Sequence, residues 1–170
     1  MQKSLSQQQI VIGVMGGANV STMDEEKAYQ LGKLIAKNGW VLLNGGRNRG
    51  VMHASAKGAV EHGGLTVGIL PDDCTDNMSE FIKIPIITGI GSARNCINVL
   101  SSQVVVACYG GAGTLSEIAL ALKHHKRVIL MGMKVATLFE DYRLKGYLSH
   151  AQTPQEVILQ IKAALTHKDY

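Results

Sequence analysis

The feature that most constrains the fold of this chain is a repeated unit, in which a short apolar run ends at glycines and a helix-like segment follows. The glycines that end four such runs lie at 16–17, 45–46, 89–91 and 110–113. The runs are continuous stretches of Val, Ile and Leu, a composition typical of parallel strands that are buried on both faces. The repeat predicts an α/β domain with a doubly wound, mostly parallel sheet and helices on both faces.

Apolar periodicity, proline and capping residues place the individual elements. The start of the first helix is indicated by Ser21 with Asp24 and by Thr22 with Glu25, both at capping-box spacing. Thr153 is the expected cap of the last helix, and Pro154 suits its first helical position. A polar loop is expected over 71–80. Strands are predicted over 10–15, 40–43, 65–70, 84–88, 104–108 and 128–131, and helices over 24–38, 50–61, 93–101, 115–124 and from Pro154 onward.

Size and composition fit one globular domain over 1–170, with a polar and flexible segment at 1–9. Of the 170 residues, 46% are hydrophobic and 18% charged, and a domain of this length buries enough surface to fold without disulfides or a structural metal. Cys74, Cys96 and Cys108 are odd in number and form no C-x-x-C pair, which suits a reducing compartment. The sequence shows no signal peptide and no membrane span, so we expect a cytoplasmic protein.

The charge pattern favours a small anionic ligand over nucleic acid. The net charge is +4, but the 17 Lys and Arg residues are scattered, and aromatic residues make up only 5% of the chain. Nucleic-acid surfaces usually carry clustered basic residues or aromatic stacking platforms, whereas a mild positive charge is enough to steer a phosphorylated ligand. We therefore expect neither nucleic-acid nor membrane binding.

Two of the glycine turns have the composition of phosphate-binding sites. They are NGGRNRG at 44–50 and YGGAGT at 109–114. Glycine lets backbone N–H groups approach an anion, and the N-terminus of the following helix adds partial positive charge. Neither turn matches the G-x-G-x-x-G or G-K-[ST] fingerprint, so NAD and ATP are not expected. One such turn alone is explained by a tight strand-to-helix connection, but four at one sheet edge favour a binding site.

Arg94 and Glu117 are each predicted to reach this same edge from the first turn of a helix. An arginine at a helix N-terminus gains nothing from the helix dipole, so a carboxylate or phosphate partner explains Arg94 better. Glu117 has two interpretations, which the sequence leaves open. It follows Thr114 at capping-box spacing, or it faces the ligand and pairs with Arg94.

These residues carry a resemblance to the Lonely Guy (LOG) family. The matching segments are GG at 45–46 with GVM at 50–52, then Arg94, then GGAGTLSE at 110–117, and the resemblance extends over roughly 10–132. It implies a Rossmann-like fold and a homo-oligomer. Typical LOG proteins are phosphoribohydrolases that cleave cytokinin nucleoside 5′-monophosphates, and their arginine and glutamate match Arg94 and Glu117, which would be the catalytic residues of such an enzyme.

Other positions are more similar to a second group with this fold. Tyr109 stands where LOG enzymes usually carry proline, and Asn95 stands where a basic residue usually follows the arginine. The segments GIGSARNCINVLSS at 89–102 and GWVLL at 39–43 resemble the molybdenum cofactor carrier proteins of algae and cyanobacteria. This preferred resemblance implies a non-catalytic dimer or tetramer that binds and protects the molybdenum cofactor (Moco), a phosphorylated pterin dithiolene. It would deliver Moco to molybdenum-dependent apo-enzymes or cofactor-biosynthesis proteins.

The carrier hypothesis assigns one set of cofactor-binding residues and no metal ligand. Backbone groups of the glycines and the Thr114 hydroxyl would hold the phosphate, while Arg47 or Arg94 neutralises its charge. A nucleotide stays an alternative ligand, in a hydrolase or in a regulatory module without catalysis. Val51 and Met52 suit either an oligomer interface or the core. The full set is Gly16, Gly17, Gly45, Gly46, Arg47, Ser92, Arg94, Asn95, Gly110, Gly111, Gly113, Thr114 and Glu117.

Overall fold

The computed structural model describes residues 8–135 and 137–166, so most of the segment predicted to be flexible at 1–9 lies outside the described residues. Within them, there are seven strands, and a helix follows each of them except β3, which leads to β4 through a loop. The strands are β1 (Val11–Met15), β2 (Val41–Asn44), β3 (Thr66–Leu70), β4 (Ile84–Ile87), β5 (Val104–Ala107), β6 (Arg127–Met131) and β7 (Leu148–Ala151). The helices are α1 (Thr22–Lys37), α2 (Gly50–Val60), α3 (Arg94–Leu100), α4 (Ala112–Lys123), α5 (Glu140–Leu144) and α6 (Pro154–Thr166).

The strands form one sheet in the order β4-β3-β2-β1-β5-β6-β7, and every neighbouring pair is parallel. From β1 the chain moves outward to β4, and it then returns to place β5 on the other side of β1. The strand order therefore reverses between β1 and β5, where open α/β sheets bind their ligands. The predicted doubly wound sheet is confirmed, and it is parallel throughout.

Alternate residues of the same strand contribute to two separate cores. In β5, Val104 and Val106 belong to a cluster with α1, α2 and α6, whereas Val105 and Ala107 belong to a cluster with α3 and α4. Because side chains alternate across a strand, the continuous apolar run supplies both faces at once. The helices on both faces that the sequence predicted are therefore confirmed.

Helices α1 and α2 approach each other closely through two glycines. A Cβ at Gly32 would overlap the carbonyl oxygen of Ser55, and a Cβ at Gly58 would overlap that of Tyr29. This contact fixes α2 against α1. The N-terminus of α2 is thereby held beside the turn that follows β1, where the amide of Val51 donates to the carbonyl of Gly17 at 3.1 Å.

The structure differs from the sequence prediction in two elements of the C-terminal third and at one sheet edge. Strand β7 and helix α5 were not predicted, because both are short and the β7 sequence, LSHA, contains no apolar run. Strand β4 was expected to be covered, but its isoleucines are 43–51% exposed. Val51 and Met52 are both buried within the chain, so they do not form an exposed interface, and Val51 belongs to the core cluster with α1, α2 and α6.

Candidate functional site

A pocket of about 240 Å³ opens where the strand order reverses. The turns after β1, β2 and β5 meet there with the first turns of α2, α3 and α4. Parallel strands bring their carboxyl ends to one edge, which is why residues far apart in sequence converge. The lining residues are Val14, Met15, Gly16, Gly17, Ala18, Gly45, Met52, Arg94, Asn95, Gly111, Gly113, Thr114 and Glu117.

Hydrogen bonds of the backbone and of the Asn44 side chain hold the turns of the pocket wall in place. The amide of Gly17 donates to the carbonyl of Tyr109 at 2.9 Å, which ties the turn after β1 to the turn after β5. In the turn after β2, the Asn44 side chain accepts from the amide of Gly46 at 2.8 Å and donates to the carbonyl of Met52 at 2.9 Å. Because Asn44 is fully buried, both bonds are protected from water, and they hold the turn in one conformation.

The turn after β5 forms an open cradle at the N-terminus of α4. A Cβ at Gly111 or at Gly113 would meet no atom within 4 Å. Helix α4 begins at Ala112, and its N-cap residue, Gly111, provides no side-chain hydrogen bond to the free N–H groups of the first turn. Such N–H groups bind anions readily, and the helix dipole adds to the attraction. The cradle therefore combines open space with N–H donors that suit an anion.

Arg94 brings a positive charge to the same pocket. It is the first residue of α3, and its Nε is buried without a hydrogen-bond partner. The guanidinium lies against Gly45, where a Cβ would overlap it. Burial lowers the pKa of Arg94, and the negative charge of Glu117 opposes that shift. An unpaired buried donor on a cation is costly, so Arg94 suits an anionic ligand.

Glu117 faces the pocket from inside α4. Its side chain is almost fully buried, and one carboxyl oxygen accepts from Asn98 Nδ2 at 2.8 Å. Burial raises the pKa of Glu117 to about 7, although the Asn98 hydrogen bond and the charge of Arg94 act in the opposite direction. The carboxyl group is therefore poised to change charge near neutral pH.

Two sequence interpretations of Glu117 are corrected by these positions. Helix α4 starts three residues earlier than predicted, so Thr114 and Glu117 lie within the helix, and the capping-box interpretation is wrong. Among the described residues, Glu117 forms no ion pair with Arg94 and takes Asn98 as its partner instead. The two charges share the pocket and influence each other without direct contact.

Nine of the thirteen predicted residues line the pocket, and four lie beside it. Gly46 packs behind it against Leu70. Arg47 pairs with Asp72 at 3.0 Å, and Ser92 is exposed in the single 3₁₀ turn before α3. A Cβ at Gly110 would overlap the Thr114 hydroxyl, so this glycine shapes the cradle from beneath.

Asn95 and Met52 complete the wall in ways that the sequence did not reveal. The Asn95 side chain donates to the Ser116 hydroxyl at 2.9 Å and so joins α3 to α4. Met52 reaches the pocket from the first turn of α2, although the sequence suggested only a core or interface role. Its approach depends on the glycine contact between α1 and α2, which no local pattern predicts.

In the part of the chain that the structure describes, no group of three His, Cys, Asp or Glu side chains is arranged to hold a metal ion. Within the same residues, no helix is long and apolar enough to cross a membrane.

Residues 9–158 match the family model described as the SLOG cluster4 family, a span that contains the whole sheet and every pocket residue. The chain belongs to the SLOG cluster4 family. This membership agrees with the LOG-like resemblance that the glycine motifs indicated.

Two solved structures are similar to this SLOG cluster4 chain over nearly its whole length. One is the molybdenum cofactor binding protein from the phototrophic bacterium Rippkaea orientalis, with 49% identity and a TM-score of 0.88, covering 94% of this chain and 99% of that one. The other is the molybdenum cofactor carrier protein of Chlamydomonas reinhardtii, with 42% identity, a TM-score of 0.85 and the same coverage. The resemblance to cofactor carriers seen in the sequence is confirmed.

A more distant relative is an enzyme. The cytokinin riboside 5′-monophosphate phosphoribohydrolase of Mycobacterium tuberculosis is 33% identical over 98 residues, which is 55% of this chain and 51% of the enzyme. The match spans only about half of each protein.

Proposed function

We propose that this protein binds the molybdenum cofactor, protects it and delivers it, as a carrier without catalysis. The observation that carries the proposal is the unpaired Arg94 guanidinium beside the open glycine cradle of α4, in a chain 42–49% identical to cofactor carriers over 94% of its length. A buried cation and a row of free N–H groups together suit the terminal phosphate of the cofactor.

The phosphate would lie on the backbone of Gly111 and Gly113, with the Thr114 hydroxyl as a further donor and Arg94 as the balancing charge. Gly16, Gly17 and Gly45 would let the ligand approach the backbone of the neighbouring turns, beside Asn95 and Glu117. Gly46 and Gly110 would act by shaping these turns. Arg47 and Ser92 lie outside the pocket, so they would touch only a part of the ligand that extends beyond it.

Assembly into a homo-oligomer, a dimer or tetramer, is part of the proposal, and an exposed apolar surface supports it. Ile84, Ile86, Ile87 and Ile90 are each between 43% and 51% exposed around edge strand β4. Pro85 removes one backbone donor from this edge, so another copy would cover the surface by side-chain packing rather than by strand addition. Light scattering on Ile86→Lys, compared with the wild type, tests this assignment.

Delivery to molybdenum-dependent apo-enzymes or to cofactor-biosynthesis proteins would take place in the cytoplasm, to which the free cysteines are suited.

The test is an anaerobic titration of the purified protein with the cofactor, with a nucleoside 5′-monophosphate as competitor. We expect saturable binding of one cofactor per subunit that the nucleotide does not displace. Arg94→Gln should weaken binding about 10- to 100-fold, since hydrogen bonds to charged groups contribute about 1.5–3 kcal/mol. Arg143→Gln is the matched control, because Arg143 is exposed and pairs with Glu140 on α5. A wild-type protein that retains no cofactor would contradict the carrier function.

A phosphoribohydrolase is the second candidate, because Glu117 and Arg94 share one pocket and the Glu117 pKa is raised to about 7. A carboxyl group with such a pKa can exchange a proton at neutral pH, as a general acid or base must. The assay is release of free base and ribose 5-phosphate from a nucleoside 5′-monophosphate. Turnover that disappears in Glu117→Gln would identify an enzyme, and the absence of turnover would leave the carrier.

A further inference from the structure

A groove adjoins the pocket that contains Arg94 and the glycine cradle, and Ala18 lines both cavities. This groove, of about 620 Å³, runs from Ala18 past Tyr109 to the first turn of α1 at Asp24 and Glu25. We call it the Tyr109 groove. Since the phosphate occupies only one end of the cofactor, the rest of the ligand must leave the smaller pocket, and this groove is continuous with it.

Tyr109 presents an accessible aromatic ring in this groove. The side chain is 52% exposed, although its chain neighbour Cys108 is buried. Its backbone is held in place, because the Tyr109 carbonyl accepts from Gly17 and the Cys108 amide donates to Met15 at 2.7 Å. No aromatic or cationic side chain of the described residues stacks on the ring. Its face is available to a flat heterocycle.

Glu25 also lines the groove, and it offers a carboxylate that the described residues leave without a hydrogen bond or ion pair. Its neighbour Asp24 is engaged, since Asp24 Oδ2 accepts from the Ser21 hydroxyl at 2.6 Å. The position of Glu25 in the first turn of α1 is favourable to the helix dipole. The helix dipole accounts for an acidic residue at this position of α1. In addition, the Glu25 side chain borders the groove that adjoins the Arg94 pocket.

We propose that the Tyr109 groove binds the pterin of the cofactor, stacked on Tyr109 with its 2-amino edge directed to Glu25. This inference rests on the carrier function proposed above and adds an orientation for the ligand. The 2-amino-4-oxo edge of a pterin carries two parallel N–H donors, one on the ring and one on the amino group. An ionised carboxylate has two acceptor oxygens that match them.

The experiment compares two probes that lack phosphate, 6-hydroxymethylpterin and the matching pteridine-2,4-dione, in which an oxygen replaces the 2-amino group. Binding is followed by the quenching of probe fluorescence. We expect the pterin to bind about 5- to 100-fold more tightly, the discrimination typical of one bidentate pair. Glu25→Gln should remove this preference. Glu26→Gln is the matched control, because Glu26 does not line the Tyr109 groove and accepts from Gln30.

Tyr109 is tested with the same probes and with inorganic phosphate. Tyr109→Ala should weaken both pteridines about 5- to 100-fold through lost stacking, while Tyr109→Phe keeps their affinity. Phosphate binding should be unchanged in Tyr109→Ala and lost in Arg94→Gln.

Equal affinity of the two probes, or unchanged affinity of the pteridines in Tyr109→Ala, overturns the groove assignment even if the cofactor itself binds. Failure of the wild-type protein to bind the cofactor instead overturns the carrier function.

Discussion

Glycine serves opposite purposes in two regions of this protein. At the contact between α1 and α2, an added Cβ on Gly32 or Gly58 would overlap a backbone carbonyl of the facing helix. In the pocket, an added Cβ on Gly111 or Gly113 would meet no atom within 4 Å. The first pair of glycines is required by the packing of the two helices, whereas the second pair borders open space in the pocket that a ligand can enter.

The buried polar side chains also differ in how fully they are hydrogen-bonded. Ser55, whose carbonyl lies at the helix contact, and Asn44, which holds the turn after β2, are hydrogen-bonded to each other and to the backbone. In the pocket, Arg94 Nε has no partner, and Glu117 is buried at a cost that raises its pKa. Binding sites commonly retain such unfavourable groups, because a ligand satisfies them later. The folded state is therefore stabilised at the helix contact and destabilised at the pocket.

The largest expected effect is on folding. Gly32→Ala should lower the free energy of unfolding by about 3 kcal/mol, because the backbones of α1 and α2 must separate to admit a methyl group. Chemical denaturation measures the change, and the same substitution at Gly113 is the control. A Gly32→Ala protein as stable as the wild type would contradict the assigned helix contact.

The next effect is a pH dependence of stability that originates at Glu117. Its pKa is raised from 4.5 to about 7, so the native state binds more protons than the unfolded state between these values. The stability linked to the neutral carboxyl is present below pH 4.5 and is lost as the pH rises through 7, by about 3 kcal/mol. Glu117→Gln should therefore be more stable than the wild type at pH 8 and similar at pH 4.5. Urea titrations at both values measure this, with Glu26→Gln as an exposed control.

Gly113→Ala should raise the stability of the protein but lower its affinity for the ligand. Alanine in place of a helical glycine stabilises α4 by about 0.5–1 kcal/mol, because the unfolded chain loses conformational freedom. The methyl group occupies the cradle, so affinity for the phosphorylated ligand should fall about 10- to 100-fold, as when a hydrogen bond to a charged group is lost. Thermal melting and a binding titration on the same sample measure the two changes. Unchanged affinity would show that the phosphate lies elsewhere.

The smallest effect is expected outside the pocket, at the pair between Arg47 and Asp72. Their side chains are 34% and 32% exposed, so Asp72→Asn should change the free energy of unfolding by less than about 1 kcal/mol. We expect Arg47→Gln to weaken ligand binding less than Arg94→Gln does, since only Arg94 lines the pocket. A titration of both arginine variants checks the order, and a larger loss in Arg47→Gln would extend the site beyond the pocket.

Sequence patterns predicted the fold well where the physical cause is local. Apolar runs mark strands buried on both faces, and Pro154 marks the start of α6 as predicted. Strand β7 was missed, because its pairing with β6 stabilises a sequence with little strand character of its own. Helix α4 was placed too late, because the spacing of Thr114 and Glu117 resembles a capping box, whereas the helix begins at Ala112 with Gly111 as its N-cap.

For the site, the sequence by itself predicted that the turns after β1, β2 and β5 meet, since parallel strands end at one edge. The fourth predicted turn, at 89–91, contributes no residue to the pocket. Only the tertiary structure decided which side chains face the pocket and what they contact. Glu117 takes Asn98 rather than Arg94, and Met52 enters the wall, because these contacts depend on how α2, α3 and α4 pack on the sheet. Such distances between helices are set by packing across the whole core, and no local pattern in the chain contains them.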